Sequence, residues 1–183
     1  MTTTIDLETA VAEGDIATAL RLLDRTVPYW DRKDATGKMV QHAADYGQSG
    51  TCLALLDRLP VECRGISLAF ATTTMAHMGH VDGMLVLLDC RPNKEQRLDA
   101  VAGNLACLLS DHSEETIFGG GGNDDVTVEA LLAYLERETI SFKTVRKELI
   151  EITDNDPKVV GRFDALAMRR RHRSAGTRRV GAM

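Results

Sequence analysis

Residues 75–89 read "MAHMGHVDGMLVLLD" and divide at Gly79 into two short apolar stripes. Met75 and Met78 precede the glycine; Met84, Leu85, Leu87 and Leu88 follow it at spacings that place them on one face of a helix. Glycine is the residue that most readily takes the left-handed turn ending a helix, so the stretch predicts one helix closing and a second opening. The same frame occurs twice before it. Residues 10–24 read "AVAEGDIATALRLLD" and residues 42–57 read "HAADYGQSGTCLALLD". Gly14, Gly47 and Gly79 stand 33 and 32 residues apart, and the doublets Leu22-Leu23, Leu55-Leu56 and Leu87-Leu88 keep that step. An aspartate follows each doublet, at Asp24, Asp57 or Asp89. Residues of little bulk precede each glycine at Ala10-Val11, Ala43-Ala44 and Met75-Ala76, where a short helix packs closely on its neighbour. A period of this length predicts stacked supersecondary units, with the six leucines at equivalent buried positions.

Composition agrees with a folded helical chain. Of 183 residues, 44% are apolar but only 4% aromatic, which makes the core aliphatic and disfavours an all-β fold. No apolar run reaches the roughly 18 residues of a membrane span, and the opening "MTTTIDLETAVAEGD" has no basic segment leading into an apolar one. Those features predict a soluble, cytoplasmic protein. Cys52, Cys63, Cys90 and Cys107 form no CxxC pair and are expected to be buried thiols. The net charge of −5 is unevenly divided: residues 162–183 carry seven arginines against one aspartate, leaving −11 on residues 1–161.

Taken together, Ala-Ala-x-x-Gly followed by the late Leu-Leu, with Gly79-His80 in the third copy, resembles the ankyrin-repeat family. The resemblance covers residues 5–89. It implies a unit of two antiparallel helices with a projecting loop or hairpin, and a structural role for His80. The family's Thr-Pro-Leu-His is replaced by "KMVQ" at 38–41 and "FATT" at 70–73, so the resemblance is to a degenerate form. Further along, residues 94–111 and 126–138 are expected to form a fourth helical pair around an insertion loop at 112–125. Residues 141–153 and 155–173 make a fifth, with Asp156-Pro157 as cap and first helical residue. The expected fold is all-α, an ankyrin-like solenoid of about five antiparallel helical pairs over residues 1–173, followed by a basic tail at 174–183.

Few residues point to catalysis. The run Gly119–Gly122 lacks the lysine and Ser/Thr of a phosphate loop, and Asp124 and Asp125 would repel phosphate while capping a helix near Val126. His77 and His80, with Asp82 close by, could ligate a metal but have no third ligand at diagnostic spacing, and His112 with Glu114 and Glu115 reads as a solvated cluster. No G-x-S-x-G is present. The expectation is therefore no enzyme, no metal and no cofactor. Residues before each glycine and in the link "TVPYWDRKD" are expected to meet a partner protein, namely Tyr29, Trp30, Arg32, Lys33, Asp45, Tyr46, His77 and Met78, with Glu13 on the same surface. The alternative is nucleic-acid or other polyanion binding through Arg169, Arg170, Arg171, Arg173, Arg178 and Arg179. A metal-dependent or hydrolytic enzyme ranks below both.

Overall fold

A computed structural model describes residues 6–110 and 124–180, the side chains of Trp30, Asp124, Arg171 and 173–180 excepted. All regular structure among them is helical. The elements are α1 (Leu7–Ala12), α2 (Ile16–Thr26), α3 (Arg32–Asp45), α4 (Ser49–Leu56), α5 (Val61–His77), α6 (Val81–Asp89), α7 (Lys94–Leu109), α8 (Asp124–Arg137), α9 (Phe142–Ile152) and α10 (Pro157–Val180). Among them, no helix is long and apolar enough to cross a membrane. Consecutive helices pair as α1/α2, α3/α4, α5/α6, α7/α8 and α9/α10. Along the chain, α1, α3, α5, α7 and α9 each pack on the next in that series, and α2, α4, α6 and α8 do the same. Two rows of helices result.

The turns inside the first three pairs follow from their glycines. Gly14, Gly47 and Gly79 adopt φ of 76°, 69° and 73°, a region that costs an L side chain roughly 1–2 kcal/mol. In each turn the following residue's N–H reaches back five positions: Asp15 to the Ala10 carbonyl, Gln48 to Ala43 and His80 to Met75, at 2.8–2.9 Å. These bonds satisfy carbonyls that a helix end would otherwise leave open.

What the next residue does then differs between pairs. Asp15 caps its own helix, its carboxylate accepting the Thr18 N–H at 3.0 Å. At the equivalent position, Gln48 turns its side-chain amide backward and donates to the Ala12 carbonyl, the last residue of α1, at 3.0 Å. His80 repeats the move one pair later, Nε2 donating to the Asp45 carbonyl at the end of α3 at 2.8 Å. The second and third pairs are thus each bonded to the one before at a matching point, and this is the structural role of His80.

A second recurring bond joins the pairs at their other end. Arg32, near the start of α3, donates through Nε to the Val27 carbonyl at 3.1 Å and through Nη2 to the Asp24 carbonyl at 2.6 Å. Arg64 in α5 does the same to Leu59 and Asp57, both at 2.9 Å, and Arg97 in α7 reaches Arg91 at 3.1 Å. The guanidinium fork lets one side chain hold two carbonyls that the preceding helix leaves free.

The core is aliphatic, as composition required. Leu55, Met75, Met84, Leu87, Leu88, Leu105, Leu131, Leu132, Leu135 and Leu149 are fully enclosed, with Phe163 the aromatic among them. Leu23, Leu55, Leu56, Leu87 and Leu88 are buried as expected, but Leu22 is only half-buried. It belongs to the first pair, over which no earlier pair is stacked among the described residues. The cysteines also depart from expectation: Cys52 is buried, Cys63 half-buried, and Cys90 and Cys107 exposed. Cys90 sits where α6 ends, and Cys107 falls on the side of α7 opposite the stripe of Val101, Leu105 and Leu109 that faces the core.

Several boundaries move. Both α3 and α5 run straight through "KMVQ" and "FATT", starting well before them at Arg32 and Val61. No turn is built there, and the links ahead of these helices are short, a 3-10 turn at Tyr29–Asp31 in one case and residues 57–60 in the other. Arg32 and Lys33, expected in a loop, lie in the first turn of α3. Helix α7 stops at Leu109, and Asp124 and Asp125 lie within α8 instead of preceding it. The rest of the insertion expected at 112–125, including the glycine run and His112, lies outside the described residues. Asp156 does cap α10, its carboxylate accepting the Lys158 N–H at 2.9 Å with Pro157 first in the helix. That helix continues to Val180, so the boundary drawn at 173/174 falls inside it.

Candidate functional site

Between α3 and α5 the two helices leave an apolar cleft of about 430 Å³. Its walls are Gln41 and Asp45 from α3 and Phe70, Thr73, Thr74, His77 and Met78 from α5 and its cap. Three of the residues proposed from sequence, Asp45, His77 and Met78, therefore come together here. Helical spacing explains the arrangement, since Gln41 and Asp45 are four apart, as are Phe70 and Thr74, and Thr73 and His77. Gln41 donates its side-chain amide to the Thr74 hydroxyl, which ties the two helices together within the cleft. Phe70 remains 63% exposed. A benzyl group left this open beside an uncovered cleft is the kind of surface that binding sites use.

Gln41, Phe70 and Thr73 come from the two tetrapeptides that depart from the ankyrin pattern. Because the helices continue through these positions, side chains that would otherwise build a turn are presented on the helix surface instead. Sequence reasoning missed Phe70, although an aromatic ring within the tetrapeptide that departs from the ankyrin pattern, in a chain only 4% aromatic, was the available signal.

The other proposed residues gather elsewhere. Tyr29, Arg32 and Lys33 line a second, more polar depression with Asp24, Thr36 and Arg58. Tyr29 is 82% exposed, but Arg32 is occupied by the carbonyl bonds described above, and Arg58 pairs with Asp24 at 3.2 Å. Arg32 and Asp45 begin and end α3, about 20 Å apart for a helix of that length, so the two depressions are separate sites. Tyr46 is 55% exposed and packs edge-on against His42 at 5.1 Å. Glu13 is exposed. The side chain of Trp30 lies outside the described residues.

Of the arginines proposed for a polyanion, Arg169 is exposed. Arg170 is spent inside the fold, pairing with Glu129 at 2.6 Å and Glu136 at 2.9 Å on α8. Hydrogen bonding to Glu136 holds its guanidinium above the ordinary range, with desolvation acting the other way. The side chains of Arg171, Arg173, Arg178 and Arg179 lie outside the described residues.

Cys52 has none of the surroundings of a nucleophile. Burial, reinforced by the Asp45 charge, pushes its thiol up to about 12, and Sγ donates to the Val40 carbonyl at 3.4 Å. Among the described residues, no three His, Cys, Asp or Glu side chains are grouped as metal ligands.

No protein-family model, curated protein or solved structure matches the chain. The functional reading accordingly rests on the geometry of the cleft.

Proposed function

We propose that the chain is a non-enzymatic protein-interaction module, an array of ankyrin-like helical pairs that holds its partner on the surface of α3 and α5. The supporting observation is the apolar cleft in which Asp45, His77 and Met78 meet the exposed ring of Phe70. Stacked helical pairs leave the solvent side of one row as an extended surface, and such surfaces recognise macromolecules more readily than they enclose small substrates. The two sets of matching bonds, from Gln48 and His80 and from Arg32 and Arg64, support the stacked-pair reading. In this reading the unit is ankyrin-like in its helix–turn–helix and lacks the family's projecting hairpin. A single array over residues 1–173 and a cytoplasmic location belong to the same proposal.

Binding of nucleic acid through the basic end is the second reading, favoured by seven arginines within residues 162–183. Arg170 weighs against it, since pairing with two glutamates leaves less of its charge for phosphate.

The two readings separate on affinity capture from native host extract by the immobilised full chain. Wild type should retain a protein at moderate salt, and Phe70→Glu should reduce the retained amount about tenfold or more. Because Phe70 is exposed, that change should alter stability by no more than about 0.5 kcal/mol, a point checked by thermal melting. Changing Arg171, Arg173, Arg178 and Arg179 together to glutamine should leave capture within about twofold of wild type. Loss of capture in the arginine variant, with capture unchanged in Phe70→Glu, would transfer the function to the basic end.

A further inference from the structure

Two titratable side chains line the α3–α5 cleft, Asp45 and His77. Asp45 contributes the one carboxylate, and neither lysine nor arginine is among the lining residues. Among the described residues, that carboxylate accepts no hydrogen bond and forms no ion pair; only the Asp45 backbone carbonyl is engaged, by His80. Asp45 is half-buried and shares the cleft lining with Phe70, Thr73, Thr74 and Met78. Three kinds of partner side chain are possible occupants, and they differ sharply in electrostatic cost. A neutral apolar group would fit the walls but strip water from a carboxylate and leave it unpaired. An acidic group would add like-charge repulsion to that penalty. A lysine or arginine satisfies both halves of the site, its methylene stem lying on the ring and thioether while its cationic head meets the carboxylate.

One further observation points the same way. The net charge of −11 on residues 1–161 attracts a basic segment over a longer range.

We infer that the α3–α5 cleft recognises a lysine or arginine side chain of a partner protein, flanked by apolar residues, with Asp45 as its counter-ion. This inference rests on the reading of the chain as an interaction module and names the chemistry of its partner.

Selection from a random peptide library displayed on phage, against the immobilised full chain, tests it. Enriched peptides should carry Lys or Arg at one fixed position next to apolar residues. For the best of them, Asp45→Asn should weaken binding about tenfold or more, and so should replacing the peptide's lysine or arginine by norleucine. The two changes together should weaken it no further than either alone, because they remove the same pair. Asp45→Lys should shift the enriched position to Asp or Glu. Enriched peptides without a cation, or cationic ones indifferent to Asp45→Asn and Asp45→Lys, would overturn the inference while leaving a peptide-binding module in place. Failure of the wild-type chain to enrich any peptide, with melting and helical content intact, would count against the module itself and the inference with it. Because the Asp45 side chain makes no bond among the described residues, both variants should melt close to wild type.

Discussion

Leu87→Ala is expected to destabilise the chain by about 2–5 kcal/mol. Leu87 is fully enclosed within α6, a helix packed on α4, α5, α7 and α8. Truncation there removes transferred apolar surface and leaves a cavity that four neighbouring helices, fixed by their own packing, are poorly placed to fill. Against a total of about 5–15 kcal/mol for a typical domain, that is a large fraction. Urea denaturation followed by circular dichroism reads the effect as a lower midpoint. Leu22 occupies the same place in the first pair but is half-buried, so Leu22→Ala should cost less than Leu87→Ala by about 1 kcal/mol or more. Equal losses at the two positions would mean that the first pair is covered as fully as the third.

Gly47→Val should be comparably damaging, at about 2–4 kcal/mol, for a different reason. The backbone φ of 69° disfavours any L side chain, most of all a β-branched one. Space is also lacking: a Cβ there would lie 2.8 Å from His80 Cγ and 2.9 Å from Nδ1. The imidazole would have to leave, giving up its hydrogen bond to the Asp45 carbonyl and with it one of the links between successive pairs. Gly65 supplies the contrast. It lies inside α5 with no atom beyond its chain neighbours and the helix's own backbone within 4 Å of where a Cβ would stand, so Gly65→Ala should stabilise by about 0.5–1 kcal/mol. Thermal melting of the two variants side by side gives opposite shifts if the turn glycine and the helix glycine have these separate roles.

Those two positions also mark where the fold was legible in the sequence. Gly14, Gly47 and Gly79, with the leucine doublets behind them, located three helix–turn–helix units because a left-handed turn and an enclosed doublet leave few choices of residue. Leu22 was misjudged because burial at the end of a stack depends on a neighbour, which a repeat count does not reveal. The Arg32, Arg64 and Arg97 bonds recur at nearly the repeat period, yet their targets are backbone carbonyls, and carbonyls leave no trace in residue identity. Gln48 and His80 share a position and a hydrogen-bonding role without sharing a residue type, so alignment by identity passed over them.

The candidate site was half-legible for a related reason. Asp45, His77 and Met78 were found because they sit next to the turn glycines, whereas Gln41, Phe70, Thr73 and Thr74 lie one to two helical turns earlier. Positions 38–41 and 70–73 stand out in the sequence as departures from a motif. Only the continuous course of α3 and α5 reveals that Gln41, Phe70 and Thr73 at these positions share a cleft with residues near the turns.

The most direct test of the interaction reading is backbone amide hydrogen exchange on the full chain, with and without its captured partner. Protection should rise along the C-terminal half of α3 and along α5, centred on Gln41, Asp45, Phe70, Thr74 and His77. Partner-dependent protection confined to residues 169–183, with the amides of α3 and α5 unchanged, would contradict it.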